Sequence, residues 1–541
     1  MLLWRTEQHS SCRIAATLVE APLREKEEDG NMPRLSHGGV LTLEEFQKAR
    51  DTMAESSAET PLGFAVMAQA VDTRDFGFLF SGLQDDPDNL LPERRRTRDA
   101  LVELGRAMQA GGGGDSTIPA AYTYFGQFVD HDITLELESA DMPELVDPDL
   151  TPLGRTLIRR NIRNARTATL ELDSVYSGSA PREGEKMRLG KVSQSGNRPQ
   201  DKDDNNDLPR RGRNNDPELD REALIGDPRN DKNLIVAQLH VAFLRVHNRL
   251  VNQGEDFQGA RKLLRQHYQH IVIHDFLKKI ADPQIVDETI AQNRVYTPGE
   301  DRLFMPLEFS VGAYRLGHSM VRARYDFNVN FRPASFDQLF TFTALSGDLG
   351  DFDTLPEIWI IEWENFVDAG APFNKTRSMD TKLVEPLFEL PDIQGHTLQG
   401  DRARLAVRNL LRGYLLRLPT GQAVARALGQ RLQGVRNIPV LTPQQIRSVV
   451  SDEQAQVLQD AEFLERRTPL WYYILAESDL LEGGERLGPV GSTIVAEVLV
   501  GLVRRSEGSI LRTNGWQPTL PRAQPGTFTL TDLLRFARVL S

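Results

Sequence analysis

The sequence predicts a mainly α-helical fold with little β structure, and three observations carry that expectation. From residue 234 to 250 the apolar residues recur at the three- and four-residue steps of one helix face. RQHYQHIVIHDFLKKI, which follows at 265–280, reads as the next helix. Near the end, TPLWYYILAESD and GPVGSTIVAEVLVGLV read as two packed helical pieces, with Trp471, Tyr472 and Tyr473 as core. The chain has no internal repeat and no heptad run long enough for a coiled coil.

The bulk properties remove several classes of function. The 541 residues allow one large core or a few ordinary domains. A net charge of −13 argues against a non-specific nucleic-acid partner, because phosphate binding needs a basic face. The single cysteine, Cys12, cannot form an intramolecular disulfide. No apolar run approaches the ~20 residues that span a bilayer. The opening residues, MLLWRTEQHSSCRIAATL, make a poor signal peptide, so a cytoplasmic location is the default expectation. Residues 1–60 are polar and mixed and read as an arm, with one amphipathic helix over 41–54 capped by Thr42. Residues 61–541 read as one large domain. Within it, Gly111–Gly114 form a flexible loop, and residues 179–218, nearly free of large apolar side chains, read as a long surface loop or lid.

The chemistry concentrates in AYTYFGQFVDHDITLELE, residues 121–138. Gln127, Asp130, His131 and Asp132 interrupt an aromatic, apolar run. Burying such groups costs about 1–3 kcal/mol for each one left without a partner. Carboxylates on both sides of a histidine ask for a cation, a proton to move, or both. On composition alone the plainer reading is a helix start, with Asp130 as N-cap and His131 a core histidine. Downstream, ATLELDSVYSG places Glu171 and Asp173 two apart, after Thr167 and Thr169. Oxygen ligands at two-residue steps suit calcium; a polar strand edge explains the same spacing. His240 and His247 fit core positions. His267, His270 and His274 lie on one helix face, with no fourth zinc ligand in view.

FGQFVDHDIT resembles the distal motif of the animal-type haem peroxidases, within the peroxidase–cyclooxygenase superfamily, and further motifs follow in the family's order between residues 77 and 503. The resemblance implies a single large helical domain around a central haem b. It makes His131 the distal acid–base and sets Gln127 beside the peroxide and halide pocket. Asp130 becomes the source of an ester to a haem methyl. Asp132, with Thr167, Thr169, Glu171 and Asp173, becomes a calcium site, in which Glu171 departs from the usual Asp. GDPRND supplies Arg229, the arginine over the haem. The positions of a second ester and of a sulfonium link in some members hold Lys232 and Asn233, which cannot form them. FSVGAYRLGHSMV supplies His318 as iron ligand and Arg315 as a propionate partner. RNLLRGYL supplies Asn409, which accepts from the proximal imidazole, and Arg412, the second propionate arginine.

The function implied is a bacterial-type haem peroxidase that reduces hydrogen peroxide and oxidises small aromatic donors, halide or pseudohalide. Neutral imidazole is a haem-iron ligand, one histidine can serve as base and then acid, and a fixed cation stabilises charge on a breaking O–O bond. Two alternatives stand beside it. A fatty-acid dioxygenase of the same superfamily needs a radical tyrosine where Arg315 stands; Tyr314, one place off, is expected to point elsewhere on a helix. A catalytically inactive helical scaffold would bind a partner through residues 179–218.

Overall fold

Helices build the framework and a small sheet closes one side of it. The computed structural model describes residues 41–42, 74–109, 113–139, 142–177, 180–216, 219–299, 303–343, 349–390 and 398–541. All belong to one unit, Arg34–Ser541. The helices used below are α1 (Arg95–Ala107), α2 (Ala121–Ile133), α3 (Leu234–Asn252), α4 (Phe257–His270), α5 (Leu405–Leu415), α6 (Leu470–Glu482) and α7 (Pro489–Arg505). The sheet is built from β1 (Leu41–Thr42), β2 (Arg74–Gly77), β3 (Glu136–Glu138), β4 (Ile162–Asn164) and β5 (Phe304–Pro306), in the order β1-β3-β4-β2-β5. Leu41 and Thr42 pair in parallel with Leu137 and Glu138, so they are strand and not the expected helix start. The rest of the 41–54 expectation, and most of the 1–60 arm, lie outside the described residues.

The helical expectations hold where apolar spacing was strong. α3 carries fourteen buried residues and starts at Asn233, whose side chain accepts from the Val236 amide. His240 and His247 on it are fully buried core residues. α6 and α7 are apolar on nearly every face, and Trp471, Tyr472 and Tyr473 are buried as expected. After α4 the helix widens into a π turn, Ile271–Phe276. Two of the three histidines there serve backbone contacts: His267 Nδ1 lies 2.7 Å from the Leu263 carbonyl, and the Phe528 amide donates to His270 Nε2 at 3.3 Å, while His274 packs against the His270 ring.

Residues 180–216 are not a free lid. Met187, Val192 and Leu208 are buried, and Arg182–Glu183 pairs with Lys186–Met187 in a hairpin. Arg210 is buried between Asp207 and Asp231, at 2.7 and 2.6 Å. Glu357 accepts from the Ser195 and Gly196 amides and from Arg198. The segment is the irregular surface loop expected, held in place by charge-assisted hydrogen bonds that replace the missing apolar burial.

Candidate functional site

α2 is a regular helix, which decides where its polar residues go. Its first amides are satisfied from outside: Ala120 N donates to Asn374 O and Ala121 N to Phe366 O, at 2.8 and 3.0 Å. Asp130 therefore lies near the C-terminus, and the N-cap reading of Asp130 is wrong. Its carboxylate accepts from Thr134 Oγ1 at 2.9 Å, while burial raises its pKa. Gln127, Asp130 and His131 fall on one face and line a cavity of about 650 Å³. Asp132, one residue on, faces away from it.

Arg229 closes the end of α2. Its Nη2 donates to the carbonyls of His131 and Thr134 at 2.9 and 2.7 Å, a cation at a helix C-terminus. Asp227 holds it in place, accepting from Arg229 Nε at 3.0 Å, and also pairs with the buried Arg166. These cations hold the Asp227 carboxyl far below its ordinary range. Next to Arg229, Asn230 Oδ1 lies 2.8 Å from His131 Nδ1, and Asn230 Nδ2 lies 2.9 Å from His240 Nδ1. The amide oxygen accepts, so the His131 proton sits on Nδ1 and Nε2 keeps its lone pair. Burial, then the Arg229 charge, pushes His131 down to about 3, so it is neutral near pH 7. Asn230 and Asp227 were missed from the sequence, although both flank Arg229 in GDPRND.

The segment that carries His318 is irregular. Glu308–Gly312 is a π turn, Ala313–Leu316 a 3-10 turn, and Gly317–Met320 one helical turn. Glu308 anchors this segment by accepting from the Leu79 and Phe80 amides at 2.8 and 3.0 Å; its burial raises its pKa to about 7. His318 and Arg315 line the same cavity as His131. So does Tyr314, contrary to expectation, because the changes of pitch turn it inward; its hydroxyl donates to Gly126 O at 3.2 Å.

α5 brings Arg408, Asn409 and Arg412 to that cavity. Asn409 meets His318 as expected, but its Nδ2 lies 2.8 Å from His318 Nδ1 while its Oδ1 accepts from Arg315. A half-turn of the amide puts Oδ1 on the imidazole N–H, the arrangement that leaves Nε2 free to bind a metal. Burial and the neighbouring Arg315 push His318 down to about 3. Arg412 lines the cavity and pairs with Glu136 and Glu138 of β3.

The cavity suits a haem-sized planar group. It is lined by two neutral imidazoles, by Arg229, Arg315, Arg408 and Arg412, and by the apolar Phe336, Leu339 and Leu387. The expected calcium residues assemble only in part. Asp132 accepts from the Leu172 and Ser174 amides at 3.1 and 3.3 Å. Thr167 Oγ1 donates to Asp173 and lies 2.8 Å from Thr169 Oγ1. Burial and the nearby Asp173 raise the Asp132 pKa, the mark of two acids without enough compensating charge. The buried Ser174 hydroxyl has no partner among the described residues. Glu171 does not join this group: its carboxylate accepts from the Glu507 amide at 3.0 Å and lies 3.5 Å from Arg265. Its extra methylene lets it reach those partners. Among the described residues no three His, Cys, Asp or Glu side chains gather to hold a metal.

Residues 152–342 match the family model for animal haem peroxidase. That stretch holds the Thr167–Asp173 loop, Arg229, Arg315 and His318, but neither His131 nor Asn409. A peroxidase-like protein of Margaritifera margaritifera is 26% identical over 260 residues, 38% of this chain and 32% of that protein. Thyroid peroxidase of Canis lupus familiaris is 31% identical over 108 residues, 18% of this chain and 11% of that protein. The chain thus spans a third or less of the length of these relatives. Among solved structures, peroxidase A of Dictyostelium discoideum aligns with a TM-score of 0.53 at 16% identity, over 83% of this chain and 90% of that one. A fatty acid α-dioxygenase of Arabidopsis thaliana aligns with a TM-score of 0.50 at 14% identity, over 91% and 87%. Both share the fold. Residues 152–342 of the chain thus carry an animal haem peroxidase domain match, and its sequence relatives are peroxidases and peroxidase-like proteins.

Proposed function

We propose that this protein is a haem-dependent peroxidase that reduces hydrogen peroxide at the expense of small aromatic donors, halide or pseudohalide. One observation carries the reading: His131 and His318 both line one cavity, each with Nδ1 in hydrogen-bond contact with an asparagine. Bound haem would supply the iron and the reservoir of oxidising equivalents. His318 would hold it through Nε2, with Asn409 fixing the ring. His131 Nε2 would take the proton from one peroxide oxygen and return it to the other. Arg229, anchored by Asp227, would stabilise the negative charge as the O–O bond breaks. Gln127, held by Asn233 Nδ2 at 3.0 Å, would orient the oxidant. Arg315 would turn from Asn409 to a propionate. Asp130, which lines the cavity, would form an ester to the haem, and acid–solvent extraction of the pigment would detect it as retained haem.

We further infer that Asp132, Thr167, Thr169 and Asp173 bind calcium without Glu171, stiffening the end of α2. Chelation would then lower the melting temperature, and an unchanged melt would count against the site. The second reading, fatty-acid dioxygenation, gains from Tyr314 at the cavity wall. A single comparison separates the two. Peroxide-dependent guaiacol oxidation without oxygen uptake supports the peroxidase; oxygen uptake with an unsaturated fatty acid, lost in Tyr314→Phe, replaces it with the dioxygenase. A cytoplasmic location is part of the proposal and is checked by fractionating the native host.

A further inference from the structure

Three tyrosines line the cavity, and their hydroxyls have different surroundings. Tyr314 donates to a backbone carbonyl, which cannot take up a proton. Tyr124 packs edge-on to another phenol, Tyr325, with ring centroids 5.8 Å apart. Tyr122 donates to a carboxylate: its hydroxyl lies 2.6 Å from Asp275 Oδ2. The same Oδ2 accepts from the Leu530 amide at 2.8 Å, and Lys279 Nζ lies 3.3 Å from Oδ1. All three neighbours are donors and favour the anion, while burial raises the Asp275 pKa and makes it a better proton acceptor. Lys279 also sits over the Tyr122 ring, 5.1 Å from its centroid, and its side chain is 37% exposed. Cavity, phenol, carboxylate, ammonium and solvent thus form one line. Asp275 itself comes from the π turn Ile271–Phe276, which breaks the regular helix after α4.

We propose that Tyr122 is a one-electron relay between the cavity and the protein surface, with Asp275 as its proton acceptor. The proposal rests on the peroxidase reading above. One electron passes from the Tyr122 ring to the peroxide-generated oxidant in the cavity. The Oη–H bond breaks, and its proton moves to Asp275 Oδ2. The neutral phenoxyl then takes one electron from an outside phenolic donor, and the same proton returns from Asp275 to Oη. Two such cycles consume the two oxidising equivalents of one peroxide: the two outside phenols release two electrons and two protons, and the peroxide takes up two of each to become two waters. A phenol can lose an electron here without passing through a buried cation or a buried phenolate, because the base is already in hydrogen-bond contact. The relay extends the substrate range to phenolic donors too large to enter the cavity.

The test uses the haem-loaded full chain, mixed with one equivalent of hydrogen peroxide, freeze-quenched and read by electron paramagnetic resonance. The wild-type protein is expected to give a phenoxyl signal. Tyr122→Phe should lower it by about tenfold or more with the Soret band intact, and Asp275→Asn should lower it severalfold, as for loss of a positioned base. Asp275→Glu should restore it, and Tyr314→Phe should leave it unchanged. A signal of wild-type size in both Tyr122→Phe and Asp275→Asn overturns the relay. So does a wild-type protein that binds haem and turns over peroxide without a phenoxyl signal, an outcome that leaves the peroxidase reading standing. A wild-type protein with no Soret band overturns both.

Discussion

The two walls of the cavity were written in different ways. α2 is one unbroken helix from Ala121 to Ile133, and residue spacing predicts its faces: Gln127, Asp130 and His131 reach the cavity, while Asp132 turns to the Leu172 and Ser174 amides. The segment that carries His318 changes pitch twice between Glu308 and Met320. There the same arithmetic fails, and Tyr314 appears where a uniform helix would have turned it away. Spacing predicts direction only while the hydrogen-bond ladder is uniform.

The sharpest break of that contrast is His318→Ala on the irregular wall. It should abolish the Soret band of the purified protein; unchanged haem content would place the axial ligand elsewhere. On the regular wall, His131→Ala should keep haem but slow the reaction with peroxide by about 10²- to 10⁴-fold, measured by stopped flow. The pH profile sharpens this further. Protonation would disable the base, and burial with Arg229 holds its pKa near 3. The rate should therefore stay level as pH falls from 7 to about 4, where a histidine of ordinary pKa, ~6.5, would already have switched off. Asn230→Ala, which frees the His131 ring, should cost about 10- to 100-fold in the same assay without loss of haem, the usual weight of such a supporting hydrogen bond.

The smallest effect compares one glycine from each wall. A methyl at Gly126 would meet Phe276 Cζ at 3.1 Å, and one at Gly312 would meet Leu470 Cδ2 at 3.1 Å. On the regular helix, alanine regains about 1 kcal/mol of propensity and offsets the crowding, so Gly126→Ala should be near neutral. Gly312 has φ −110° and ψ −91°, outside the helical region, and gains no such offset. Gly312→Ala should cost about 1 kcal/mol in denaturant unfolding, and equal midpoints for the two variants would erase the distinction.

The pH dependence of stability has opposing parts. His131 and His318 stay neutral in the folded chain, so below pH ~6.5 the unfolded chain binds more protons and stability falls. Burial raises Glu477 to about 8 and Glu308 to about 7, so stability also falls as pH rises from ~4.5 toward those values.

Much of this protein was legible in one dimension. Apolar spacing gave α3, α6 and α7, and the order of short motifs pointed to the family and to both histidines, because those signals are local. What spacing could not supply was set by packing. Glu171 left the expected calcium group because Arg265 and the Glu507 amide lie within its reach. Arg412 answered Glu136 and Glu138, more than 270 residues away along the chain. Asn230 became the partner of His131, and residues 180–216 became an ordered wall through ion pairs with distant segments. Each of these rests on which charges meet across the fold, and a buried charge must find its partner wherever the backbone brings one.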